Sequence, residues 1–234
     1  MLGIKTPLHK KLGDEGENPF WISFSDLMTA LMVLFLLTMS VTLFEITRKV
    51  VSGPEDHRKK IEVCMGDVSS MTQKEFPGVE VHGHTISFGT LALFKTNSNK
   101  LDSHAEIALR AYIPRVLALS RSDKCSKVFK RVIVEGFASQ SGTYIHNLNL
   151  SMQRAERVLC ALLNTSNTNP LNVMDRKDVR NLFLVGGSSF NKLKPTDEES
   201  QRIELKLEFL GYGEEREKIR ESPLDKTITC PLDR

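Results

Sequence analysis

Apolar and polar positions alternate in three ways along this chain. The first pattern is a run without charge: residues 27–44 read LMTALMVLFLLTMSVTLF, and residues 20–44 hold a single charged side chain, Asp26. Twenty-five helical residues at about 1.5 Å each cover roughly 37 Å, against a hydrocarbon core of roughly 30 Å. The run predicts a transmembrane helix over 19–46. Asn18 and Pro19 suit a helix start, and Phe20 and Trp21 suit the membrane interface. A cleaved signal peptide fits less well, because the run exceeds an h-region, no small-residue cleavage site follows, and an acid lies near its start.

The second and third patterns lie further along. VEVHGHTISF (79–88) reads as a strand pair around Gly83, RVIVEGF (131–137) and LFLVGG (182–187) as strands, and RIELKLEF (202–209) alternates with period two. Residues 102–119 and 148–163 carry apolar positions at helical spacing instead. The order β–α–β–α–β predicts an α+β sandwich over 79–210, with its helices on one sheet face. Between membrane and domain, 47–78 reads as a connector. It is charged at first, interrupted by Ser52-Gly53-Pro54, then helical from about 56 to 74, before Pro77-Gly78. Its first part, 45–60, is a candidate plug for an ion path. Residues 1–18 and 211–234 are polar tails, and 165–170 is a turn-rich insertion.

Charge and cysteines refine this picture only slightly. A net charge of +3 over 234 residues, with no basic stripe interleaved with aromatics, argues against nucleic-acid binding. Lys5, Lys10 and Lys11 precede the apolar run, but Arg48, Lys49, Arg58, Lys59 and Lys60 follow it, so the positive-inside count does not place the amino terminus in the cytoplasm. Cys64, Cys125, Cys160 and Cys230 all follow the run, as an oxidising compartment beyond the membrane permits. Four cysteines allow three complete pairings, and Cys160 also fits a buried thiol on an apolar helix face. No nucleophile elbow or metal-ligand spacing is present, so the chain does not read as an enzyme. His82 and His84 alone make a weak metal site, and no cofactor is implied.

The chemistry concentrates at two places. A carboxylate inside a membrane helix costs about 2.5–3.5 kcal/mol on insertion scales unless it is protonated, paired or wet, and such residues mark ion paths. At three- and four-residue spacing Asp26 has Ser23, Thr29 and Ala30 beside it, small or polar groups that leave room for a partner helix and for water. The sequence PFWISFSDLMTALMVLFLLTM, with its core Ser25-Asp26-Leu27-Met28-Thr29-Ala30, resembles the signature of MotB-like stator B-subunits of flagellar-type motors. That resemblance implies that Asp26 carries a proton (or a sodium ion) and that a homodimer of this chain sits within a ring of five MotA-like A-subunits.

The second place is GFASQSGTYIHNLNLSMQRAERV (136–158), which resembles the OmpA-like peptidoglycan-binding motif at Gly136, Gly142, Asn147, Leu150, Ser151, Arg154, Ala155 and Val158. The resemblance implies that Arg154 pairs with a carboxylate of the diaminopimelate in a peptide stem, that Asn147 hydrogen-bonds the stem and that Leu150 packs beneath it. Ser139 stands where that family has aspartate, and His146 where tyrosine is common, so wall binding is expected to be weakened or altered. The short tail and the stretch Pro-Phe-Trp-Ile-Ser-Phe-Ser-Asp resemble, within the stator class, the ZorB family of the Zorya anti-phage defence systems. This implies a ZorA-type A-subunit as partner, an inner-membrane location, a cytoplasmic amino terminus and a periplasmic domain. Flagellar motility is the rival process. A structural wall tether is the rival class, and a tether needs no carboxylate in its membrane segment.

Overall fold

The computed structural model describes residues 18–165, 169–216 and 230–233. The chain divides into two units, Met1–Ser52 and Gly53–Arg234. The expectations for the amino-terminal tail, for the side chains of Asn18, Pro19, Phe20 and Trp21, and for parts of the 165–170 turn and the C-terminal tail lie outside the described residues.

Helix α1 (Asn18–Glu75) begins in the first unit and ends in the second. Within the first unit every described side chain from Ser23 to Arg48 is exposed, including Leu31, Phe35 and Phe44. Among the described residues this is the one helix long and apolar enough to cross a membrane. Two of its threonine hydroxyls bond within the helix: Thr38 donates to the Phe35 carbonyl at 2.9 Å and Thr42 to that of Thr38 at 2.9 Å. The expected interruption at Ser52-Gly53-Pro54 does not occur, and α1 runs through Pro54. A proline removes one i→i−4 hydrogen bond, and the adjoining turns here carry the helix past that loss.

The second unit is built on a five-stranded sheet of order β1-β2-β5-β3-β4, with β1 (Glu80–His82), β2 (Thr85–Ser87), β3 (Phe129–Gly136), β4 (Phe183–Gly187) and β5 (Ile203–Phe209). The β3–β4 pair is parallel and the others are antiparallel. Helices α2 (Ser103–Arg121), α3 (Tyr144–Leu163) and α4 (Val173–Leu182) pack with the sheet around a core that includes Leu109, Ile113, Leu117, Val132, Val134, Val158, Leu162 and Leu205; a single-turn helix, α5 (Asp197–Ser200), precedes β5. The α+β class expected from the patterning is the class observed.

Helix α3 approaches the sheet more closely than side chains normally permit, because two glycines face each other across β3 and β4. Gly136 and Gly187 are register partners. A Cβ on Gly136 would lie 1.9 Å from the Ser151 carbonyl oxygen, and one on Gly187 would lie 2.8 Å from the Met152 nitrogen. The helix backbone rests directly on the strands at this point.

The end of α1 belongs to the folded domain, which corrects the expected boundary near Val79. Cys64 and Val68 are buried in the core, and a disulfide joins Cys64 to Cys125. The Thr72 hydroxyl donates to the Val68 carbonyl and bonds the buried Tyr112 hydroxyl, both at 2.8 Å. Burial pushes the Tyr112 phenol up to about 12. His57 bonds the Leu210 carbonyl at 2.7 Å, and Glu75 pairs with Arg115. An apolar stripe and a crosslink make 53–75 a packed element rather than a free spacer. A second disulfide joins Cys160 to Cys230, so Cys160 is not a free thiol, and beside it Arg157 pairs with Asp233 at 2.6 Å.

Candidate functional site

Helix α3 starts where Thr143 caps it, its hydroxyl accepting from the His146 backbone N–H at 3.3 Å. The helix then carries Asn147, Leu150 and Arg154 at spacings of three and four, one stripe on one face. The preceding loop turns back at Gly142, whose φ of +98° lies in the left-handed region. The Asn147 carboxamide pins that loop by donating to the Ser141 carbonyl at 2.8 Å. Opposite α3, the loop through Thr96 and Asn97 forms the facing wall, where Asn97 bonds the His146 ring at 2.9 Å. Together with Ser139 and Gln201 these residues enclose a cavity of about 270 Å³.

Arg154 governs the electrostatics of this cavity. Its side chain is fully buried. Nε donates to the Ser98 carbonyl at 2.9 Å, Nη1 to the Phe137 carbonyl at 2.7 Å, and Nη2 to the Lys95 carbonyl and Gln201 Oε1 at 3.1 and 3.0 Å. The guanidinium also lies 5.1 Å from the centre of the Phe94 ring. Burial pulls its pKa down to about 10, which leaves it charged at neutral pH. Among the described residues no carboxylate pairs with it. The guanidinium has five N–H donors and four are directed at these neutral acceptors. A buried cation held only by dipoles retains a desolvation cost that a bound anion offsets.

The structure gathers all five soluble-domain candidates, Ser139, His146, Asn147, Leu150 and Arg154, around this one cavity. Motif spacing did not reveal its other wall, Thr96, Asn97 and Gln201, which comes from segments 47 or more residues from Arg154 in the chain. Asp26, Ser23, Thr29 and Ala30 lie in the first unit, all helical and exposed, and the Thr29 hydroxyl donates to the Ser25 carbonyl. His82 pairs with Glu80 at 3.0 Å, and the His84 ring packs edge-on against Phe209.

No family model matches the chain. It is, however, 35% identical to the Zorya protein ZorB of Escherichia coli O139:H28 (strain E24377A / ETEC), over 99% of this chain and 98% of that protein. The chain belongs to the ZorB family. Solved structures resemble this ZorB-family chain in part. A putative MotB-like protein from Desulfovibrio vulgaris covers 68% of this chain and 95% of its own, at 17% identity and a TM-score of 0.41. The periplasmic domain of Helicobacter pylori MotB (residues 90–256) covers 59% and 83%, at 16% identity and 0.40. The OmpA-like domain of FopA1 from Francisella tularensis subsp. tularensis SCHU S4 covers 57% and 82%, at 19% identity and 0.37.

Proposed function

We propose that this ZorB-family chain is the non-enzymatic B-subunit of a Zorya motor: a homodimer anchored to peptidoglycan and surrounded by A-subunits of the ZorA type, five around the dimer. In this reading α1 crosses the inner membrane once, with the amino terminus in the cytoplasm and the second unit in the periplasm. Asp26 takes up a proton from one side and releases it to the other, with Ser23, Thr29 and Ala30 leaving space for the path. A charge crossing the membrane is driven by about 2.3 kcal/mol per 100 mV. The cavity beside Arg154 holds the wall, through a stem carboxylate facing the guanidinium, with Asn147, Leu150 and His146 around it.

The observation that carries the motor reading is Asp26 itself. It is the one charged residue in 20–44, on a helical stretch whose described side chains from Ser23 to Arg48 are all exposed. A tether has no use for a carboxylate there, since it only raises the cost of insertion. The test compares phage plating on cells carrying the intact operon with wild type or Asp26→Asn at matched protein levels. Protection by wild type and its loss in the variant are expected. Equal protection by both reduces the chain to a tether, and protection by neither favours a motility motor.

A further inference from the structure

The cavity's charge pattern narrows what it accepts. Among the described residues Arg154 is its one permanently charged side chain, and the rest of the lining consists of hydroxyls, carboxamides, the His146 ring, a glycine and Leu150, with no carboxylate. A neighbouring hollow shares Asn97, His146 and Leu150, adds Lys100, and again has no carboxylate. The acids Asp102 and Glu198 line a third groove that carries Lys95 and Lys100 as well, and Asp102 is occupied in capping α2. Ser139 is 5% exposed, lines the cavity, and makes no hydrogen bond to a described residue. Its free hydroxyl both donates and accepts, but carries no charge.

The second centre of a wall diamino acid bears a carboxylate and an amine on one carbon. Where the stem is free that amine is an ammonium, and where the stem is cross-linked it is an amide. An ammonium placed beside Arg154 meets like charge in a confined, poorly screened space, with no anion among the described lining residues to offset it. An amide N–H needs one neutral acceptor, and a serine hydroxyl supplies it. We infer that this cavity takes a carboxylate whose neighbouring amine is acylated, as in a cross-linked stem, and that Ser139 sets this preference. The inference rests on the wall-binding reading and specifies its ligand.

The test titrates the full chain, in detergent, with two synthetic tripeptides ending in diaminopimelate, one with the free amine and one with that amine acetylated. Retention of the same protein on whole sacculi is measured in parallel. In wild type the acetylated peptide binds at least as tightly as the free one, and Ser139→Asp shifts the ratio toward the free amine by about tenfold, as one added charge-assisted hydrogen bond implies. Tenfold preference of wild type for the free amine overturns the inference, as does an unchanged ratio in Ser139→Asp. If neither peptide binds while sacculi retain the protein, the ligand class is wrong and wall binding stands. If sacculi do not retain it, the wall-binding reading fails and this inference with it.

Discussion

Adding one methyl group at Gly136 tests whether contact between α3 and the sheet sets the geometry of the cavity. The new Cβ would sit 1.9 Å from the Ser151 carbonyl oxygen, 2.9 Å from its carbonyl carbon and 3.3 Å from the Ala155 nitrogen. All three are backbone atoms, so no rotamer change relieves the clash. Ordinary contact requires about 3.4 Å, so α3 must retreat by about 1.5 Å. Arg154 lies three residues beyond Ser151 on the same helix, and its four hydrogen bonds span 2.7–3.1 Å. A retreat of that size breaks most of them. Overpacking costs about 1–3 kcal/mol, and weakened bonds to a buried charge add about 1.5–3, so a total of about 2.5–6 kcal/mol is expected. At about 2–4 °C per kcal/mol this lowers the melting temperature by roughly 10 °C. Gly66→Ala is the control: it lies within α1, nothing stands within 4 Å of the added Cβ, and stability should hold or rise by up to about 1 kcal/mol. Thermal unfolding followed by circular dichroism, with retention on sacculi measured on the same samples, reads both effects. A Gly136→Ala protein that melts within about 2 °C of wild type and still binds the wall refutes the idea that the glycine pair positions Arg154.

The hydrogen bond between Thr72 and Tyr112 should be asymmetric under mutation. Tyr112→Phe leaves Thr72 bonded to the Val68 carbonyl and costs about 0.5–1.5 kcal/mol, whereas Thr72→Val strands a buried phenol and costs about 1–3, both measured by urea unfolding. Equal losses would mean that the phenol finds another partner. Replacing Cys64 and Cys125 together by serine removes a crosslink across 61 residues, worth about 4 kcal/mol in the chain-entropy model; an unchanged urea midpoint for the second unit contradicts that assignment.

Period-two and helical patterning located most of the second unit. Strand β5 falls at Ile203–Phe209 where alternation placed it at 202–209, and β3 at Phe129–Gly136 against 131–137. Helix α3 begins four residues earlier than its apolar stripe, because Thr143 caps a first turn whose Tyr144 and Ile145 are exposed. Helix α4 escaped the patterning because one of its three buried positions is Asp175, paired with Arg121 at 2.6 Å, so its inward face does not read as apolar. The connector escaped for a related reason. Its fastening depends on Cys64, Thr72 and His57, whose partners at Cys125, Tyr112 and Leu210 are tertiary and leave no local signature. In the cavity, spacing on one helix revealed Asn147, Leu150 and Arg154. That the Arg154 donors are directed at backbone carbonyls and Gln201 depended on loops that only the fold brings together.

The Cys64–Cys125 bond also fixes how the chain carries tension. Force arriving along α1 reaches Cys64 and has a covalent shortcut to Cys125, four residues before β3. From there it runs along β3 to Phe137, whose carbonyl holds Arg154 at the cavity wall. The crosslink is a second route past the 60 residues between the two cysteines, which include β1, β2 and α2. Pulling between the helix and whatever occupies the cavity therefore loads β3 and the disulfide on one side, and on the other the loop through Lys95 and Ser98, whose carbonyls hold Arg154 from within those 60 residues.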